Sequence, residues 1–402
     1  STTATFSAIT TAGMFLGALV GGIIGDKTGR RNAFILYEAI HIASMVVGAF
    51  SPNMDFLIAC RFVMGVGLGA LLVTLFAGLT EYMPGRNRGT WSSRVSFIGN
   101  WSYPLCSLIA MGLTPLISAE WNWRVQLLIP AILSLIATAL AWRYFPESPR
   151  WLESRGRYQE AEKVMRSIEE GVIRQTGKPL PPVVIADDGK APQAVPYSAL
   201  LTGVLLKRVI LGSCVLIAMN VVQYTLINWL PTIFMTQGIN LKDSIVLNTM
   251  SMFGAPFGIF IAMLVMDKIP RKTMGVGLLI LIAVLGYIYS LQTSMLLITL
   301  IGFFLITFVY MYVCYASAVY VPEIWPTEAK LRGSGLANAV GRISGIAAPY
   351  AVAVLLSSYG VTGVFILLGA VSIVVAIAIA TIGIETKGVS VESLSIDAVA
   401  NK

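Results

Sequence analysis

Reading forward from Ser1, apolar residues come in long stretches separated by short polar connections. A helix rises 1.5 Å per residue and needs about 20 apolar residues to cross the hydrocarbon core of a bilayer. Stretches of that kind run over 5–25, 32–50, 56–79, 93–117, 124–144, 208–232, 246–266, 273–291, 295–320, 333–356 and 361–383. This pattern predicts eleven spanning helices and an all-α membrane protein. The one long polar stretch is 145–206. Its Ser154–Glu170 part has helical spacing and mixed charge, suited also to lying on an anionic membrane surface. Its Lys178-Pro179-Leu180-Pro181-Pro182 part reads as a linker.

Two pieces of the chain recur. Gly22-x-x-x-Asp26-Lys27-x-Gly29-Arg30-Arg31 is echoed by Asp267-Lys268-x-x-Arg271-Lys272. Glu81-x-x-Pro84 with Arg88-Gly89 is echoed by Glu323-x-x-Pro326 with Arg332-Gly333. Asp26, Glu81 and Arg88 recur after 241, 242 and 244 residues. Two motifs repeating at nearly one offset predict two homologous halves. Carried back from 208, that offset puts a counterpart helix ahead of Ser1. The expectation is therefore a partial record of a twelve-helix protein lacking its first helix.

Composition supports the membrane reading. Apolar residues make up 56% of the chain, charged residues 12%, and the mean hydropathy is +0.78. A soluble domain devotes about a quarter of its residues to charge. The net charge of +8 does not indicate a nucleic-acid partner, because the basic residues punctuate apolar runs instead of clustering on one face. With the 26–31 loop in the cytoplasm, 24 of the 28 Lys and Arg fall on the cytoplasmic side. The positive-inside rule then places the C-terminus in the cytoplasm. The expected organisation is 1–145 as an N-terminal transmembrane half, 146–206 as a cytoplasmic helical linker, 207–384 as a C-terminal transmembrane half, and 385–402 as a cytoplasmic tail. Cys60, Cys106, Cys214 and Cys314 lie inside apolar runs, and His41 is the only histidine. Neither a disulfide framework nor a zinc site is expected, no cofactor is implied, and an enzyme is disfavoured.

The motifs carry a family likeness. Gly22–Arg31 resembles the signature loop between helices two and three of the major facilitator superfamily. Arg61-Phe-Val-Met-Gly65-Val-Gly67-Leu-Gly69 resembles its fourth-helix motif. Pro146-Glu-Ser-Pro-Arg150-Trp151-Leu152 and Glu385-Thr-Lys-Gly388 resemble markers of the sugar porter branch. Ser96-Phe-Ile-Gly-Asn100-Trp101-Ser102 and Ser317-Ala-Val-Tyr-Val-Pro-Glu-Ile-Trp-Pro326 are similar to stretches of bacterial inner-membrane metabolite transport proteins. The resemblance covers the whole chain. It implies a major facilitator fold of two six-helix halves and secondary active transport of a small metabolite (sugar acid, polyol, sugar or organic acid) by alternating access. It also implies proton symport, a bacterial inner-membrane location and a monomer in the lipid bilayer, with no nucleic-acid partner. Facilitated diffusion in place of proton coupling, an efflux antiporter and a non-transporting sensor on the same scaffold remain as alternatives.

Three groups of residues are candidates for the work. The first is a cytoplasmic gate of alternating acids and bases, Asp26, Arg30, Arg31, Glu81, Arg88, Glu147, Arg150, Asp267, Glu323 and Arg332. Ion pairs made in one state and lost in another supply the free-energy difference that a switch requires. Ordinary snorkelling residues give the same pattern. The second group is for coupling. Arg61 lies inside a span, where a lone cation costs about 2.5–3.5 kcal/mol on insertion scales. The resemblance implies an aspartate opposite it on the first helix. Glu38 shares a helix face with His41, as a proton relay or a buried structural pair. The third group is for substrate, near span centres, where such folds bind their cargo. It comprises Asn100, Trp101 and Tyr103; Asn220, Gln223, Tyr224, Asn228 and Trp229; Tyr315, with Tyr310 and Tyr312 beside it; and Asn338 and Arg342. The sugar-reading residues of the branch are not matched. Its paired glutamines fall on Ala218 and Met219, and its tenth-helix tryptophan falls on Ala318. The glycine row 65, 67, 69 reads as close helix packing.

Overall fold

The structure, a computed structural model, describes residues 2–82, 88–180, 197–266, 268–325 and 329–386. Within these, the side chains of 2, 3, 22, 23, 26, 73, 76–82, 88–93, 150, 154, 197 and 330–332 are outside the description. In chain order the helices are α1 (Thr2–Thr28), α2 (Arg30–Ala49), α3 (Met54–Tyr82), α4 (Arg88–Asn100), α5 (Ser102–Leu113), α6 (Ala119–Tyr144), α7 (Pro149–Ser154) and α8 (Tyr158–Thr176). After α9 (Tyr197–Leu200) come α10 (Gly203–Thr236), α11 (Leu241–Met252), α12 (Gly254–Val265), α13 (Arg271–Ser290) and α14 (Met295–Val313). A π-helical stretch, Cys314–Tyr320, continues α14 into α15 (Val321–Glu323), and α16 covers Lys330–Ile382. No strand occurs among the described residues.

Nine helices among the described residues are long and apolar enough to cross a membrane. The difference from eleven predicted stretches has two local causes. Gly360 adopts φ 65° and ψ −160° inside α16, a backbone open to glycine, so the helix breaks there and α16 is two helical limbs counted as one. Its limbs match the predicted 333–356 and 361–383. The predicted 93–117 stretch is divided at Trp101 into α4 and α5. Pro104 has no N–H to give to the Asn100 carbonyl, which loosens the helix there. The same device divides α11 from α12 at Phe253, where Pro256 follows three residues on.

The chain forms two compact units. The smaller holds 9–88 and 123–191, and the larger holds 1–8, 89–122 and 192–402. In the smaller unit, α1 and α3 run together at glycines. A Cβ at Gly17 would stand 2.1 Å from the Val66 carbonyl oxygen, and one at Gly69 would stand 2.1 Å from that of Met14. Helices in lipid associate through packing of this kind, because lipid tails remove the usual hydrophobic drive. Gly67 faces α2 instead, 3.0 Å from the Tyr37 carbonyl oxygen at its would-be Cβ. Met45, Met64 and Ala131 join α2, α3 and α6, and Arg124 Nη1 donates to the Ala49 carbonyl at 2.6 Å.

In the larger unit, α10 and α13 pack on α16, α12 on α14, and α5 on α11. Tyr310, Tyr312, Tyr315, Tyr320, Trp325, Phe234 and Phe365 are its largest fully buried side chains. The two proline breaks meet, with the Trp101 ring set edge-on to Phe253 at 6.4 Å.

Candidate functional site

The larger unit gathers polar groups where α5, α10 and α14 come together. Tyr103 of α5 meets Tyr310 of α14 edge-to-face, with ring centroids 5.2 Å apart. Gln223 and Tyr224 of α10 are neighbours of both. The buried Tyr310 hydroxyl lies beside the Tyr103 hydroxyl and Gln223, a polar cluster suited to meeting water or a substrate hydroxyl. Nearby on α5, Ser107 accepts from Asn248 Nδ2 of α11 at 3.3 Å. Spacing along the sequence gave no hint of that pair, although an asparagine inside the 246–266 run was a visible signal.

Asn220, Tyr224 and Asn228 recur every four residues and share one face of α10. Asn220 is buried and gives its Nδ2 to the Leu216 carbonyl at 2.7 Å. Asn100 and Asn338 do likewise with Ser96 (2.7 Å) and Ser334 (2.9 Å). Each amide donor is thereby satisfied within its own helix, and each side-chain oxygen remains as an acceptor. Opposite Asn220, α16 approaches through Gly341, whose added Cβ would sit 3.0 Å from Asn220 Nδ2 and 2.8 Å from Leu216 Cβ. Arg342 follows at once. It is partly buried, nine residues inside the apolar span that starts at Gly333, and forms no hydrogen bond or ion pair among the described residues. Asn338 and Arg342 lie one turn apart on a face of α16 that retains accessible surface.

Three predicted substrate residues stand elsewhere. Trp101 lines an apolar hollow of about 290 Å³ with Phe97, Phe253 and Phe260. Trp229 is 4% exposed within the apolar core. Tyr315 is fully buried, stacked on Tyr320 at 5.0 Å, with its hydroxyl against Gly275. Tyr312 donates to the Val215 carbonyl at 3.1 Å.

Each unit also holds a carboxylate at a helix start. In the smaller unit, Glu147 Oε1 accepts from the backbone N–H groups of Arg30 (2.7 Å), Arg31 (3.2 Å) and Ser148 (3.0 Å). It caps the positive end of α2. The Arg31 guanidinium donates to the Trp142 carbonyl. In the larger unit, Glu385 accepts from the N–H groups of Arg271 (2.8 Å) and Lys272 (3.1 Å) at the start of α13. Arg271, 5% exposed, forks onto Glu323 with Nε–Oε2 at 3.0 Å and Nη2–Oε1 at 3.1 Å, and also donates to the Met266 carbonyl. Thr386 donates to Glu323 at 2.6 Å. The Tyr320 hydroxyl donates to the Ile384 carbonyl and accepts from its N–H, which holds this tail in place. Of the predicted gate, Arg30, Arg31, Glu147 and Glu323 are in these clusters. Asp267 lies outside the described residues, as do the side chains of Asp26, Glu81, Arg88, Arg150 and Arg332. Glu385 was legible only as a motif letter.

Two ionisable groups face each other inside α2. Glu38 Oε2 and His41 Nδ1 are 3.7 Å apart, with side chains 11% and 12% exposed. Arg61 is partly buried on α3.

Comparison with known proteins agrees with this architecture. The family model described as Sugar (and other) transporter matches residues 1–398. The inner membrane metabolite transport protein YdjE of Escherichia coli K12 is 44% identical, with 98% of this chain and 86% of that protein covered. The niacin transporter NiaP of Acinetobacter baylyi is 26% identical over 96% of this chain and 85% of its own. Among solved structures, the xylose transporter XylE from E. coli, in a partially occluded inward-open conformation, superposes with a TM-score of 0.76 at 18% identity. That match covers 95% of this chain and 87% of XylE. These relatives are transporters and not enzymes, and the chain belongs to the sugar (and other) transporter family.

Proposed function

We propose that this protein carries a small carboxylate-bearing metabolite across the inner membrane by alternating access, in symport with protons. Arg342 carries the reading. A guanidinium within an apolar span, about 14 Å along the helix from Gly333, is costly unless water or an anion meets it. Its partial exposure leaves it open to such a partner, and a planar guanidinium matches a carboxylate through two parallel hydrogen bonds. Tyr103, Tyr310, Gln223, Tyr224, Asn228 and Asn338 supply hydroxyls and amides for the rest of the molecule. A relative named for niacin, an aromatic acid, supports an acidic cargo. A solved neighbour described as a proton:xylose symporter supports proton coupling.

In this reading the C-terminus is cytoplasmic by the positive-inside rule. The Glu147 and Arg271–Glu323–Glu385 clusters are the gate, held in one state and parted in the other. Arg61 responds to the coupling proton by gaining or losing an acidic neighbour.

The test is uptake by the full chain in proteoliposomes, scanning sugar acids, aromatic acids, polyols and sugars with and without an inward proton gradient. Uptake of a carboxylate that rises with the gradient is expected. Uptake confined to neutral sugars or polyols would overturn the substrate class, and uptake indifferent to the gradient would overturn symport.

A further inference from the structure

We propose that Glu38 and His41 hold one proton between them and form the proton-carrying site of this transporter. The proposal deepens the transport reading and rests on it. Glu38 is the ninth and His41 the twelfth of the twenty residues of α2, at the centre of a span. The carboxylate Oε2 and imidazole Nδ1 are 3.7 Å apart, both buried and without a hydrogen-bond partner among the described residues.

An intramembrane acid so placed is costly as a bare anion. With one shared proton the pair is uncharged overall, as acid and imidazole or as carboxylate and imidazolium. Losing that proton leaves a net negative charge in the span. A proton entering from water joins Glu38 Oε2 or His41 Nδ1, and the same proton leaves to water on the other side, so one proton enters and one leaves per cycle.

The surroundings isolate the couple. On α2 itself the other ionisable groups are Arg30, Arg31 and Tyr37, and the Tyr37 hydroxyl is committed to the Gly21 carbonyl at 2.8 Å. α3 meets His41 at Gly67 and carries no ionisable side chain from Phe62 to Thr80. Its Arg61 lies six residues along, about 9 Å in helical rise; Cys60 and Asp55 lie beyond, and Glu81 and Tyr82 close its far end. α6 carries none from Val125 to Trp142, between Glu120 and Arg124 at one end and Arg143 and Tyr144 at the other. α1 carries none before Asp26 and Lys27. Arg61 is thus the nearest charged side chain along α3, close enough to sense the couple's charge and too far to replace either member.

The experiment compares substrate counterflow, which needs no net proton movement, with accumulation driven by an inward proton gradient. Glu38→Gln and His41→Asn are expected to keep counterflow within about twofold of the native chain and to lose gradient-driven accumulation. Accumulation retained by Glu38→Gln overturns the proposal. A native chain that exchanges substrate yet ignores the gradient overturns it as well. A second readout needs no substrate. His41 is the only histidine, so ¹⁵N-histidine spectra of a chain without a histidine tag report one imidazole. An imidazolium at neutral pH that becomes neutral in Glu38→Gln supports the shared proton, even if no cargo is found. The same imidazole protonation state with the same dependence on pH in both chains overturns it.

Discussion

The two capped helix starts solve one problem by different means. At α2 the residue before the helix is Gly29, with φ 97°, and Glu147 presses where a side chain would be: an added Cβ would stand 2.3 Å from its Oε2. At α13 the corresponding residue is Pro270, with φ −56°, an ordinary extended entry that any residue can adopt. Glu147 serves three backbone N–H groups. Glu385 accepts from the N–H groups of Arg271 and Lys272, and beside it Glu323 takes the Arg271 fork and the Thr386 hydroxyl. The start of α2 therefore depends on backbone geometry, whereas that of α13 is backed by a partly buried side-chain ion pair.

Removing the fork at α13 should have the largest effect. Arg271→Ala leaves Glu323 without the guanidinium forked onto it, and because Glu323 is 34% exposed the loss is about 1–3 kcal/mol. The unfolding midpoint in detergent should fall by several degrees. A midpoint matching the native chain would mean that the fork adds nothing to the cap. Next comes the glycine entry. Gly29→Ala should cost about 1–2 kcal/mol through the disfavoured backbone and a displaced Glu147, while Pro270→Ala should stay within about 1 kcal/mol. Equal losses at the two positions would erase the contrast drawn above.

The smallest effect belongs to the linker. Arg157 and Glu160 are joined by hydrogen bonds of 2.7 and 2.6 Å. This partner holds the Glu160 carboxyl below its usual range and raises Arg157. A depressed carboxyl contributes stability above its unfolded pKa, lost as pH falls through the lower folded value. Both groups are fully exposed, so solvent screens the pair. Glu160→Gln should leave the neutral-pH midpoint unchanged and alter, at most, the acid limb of the profile.

Much of the fold was legible because the bilayer demands long apolar runs. The breaks at Gly360 and at Trp101–Pro104 came from residue types known to interrupt helices. The glycine row divided its work as close packing requires, Gly65 and Gly69 toward α1 and Gly67 toward α2. The site was less legible. A span that is apolar on every side has no polar face to show direction. Thus Trp229 and Tyr315, beside polar candidates in sequence, point into packed interiors, while Tyr103 and Tyr310 come together from helices some 200 residues apart. Glu385 escaped for a related reason: its partners Arg271 and Lys272 are 114 and 113 residues away, beyond any spacing rule.

The central claim is that Arg342 meets an anionic cargo, and charge rescue tests it most directly. The initial uptake rate of a transported carboxylate should fall at least tenfold in Arg342→Gln and recover in part in Arg342→Lys, while an uncharged analogue of the same molecule gains relative to it in Arg342→Gln. Equal carboxylate uptake by the native chain and Arg342→Gln would contradict the account and leave the arginine a structural role.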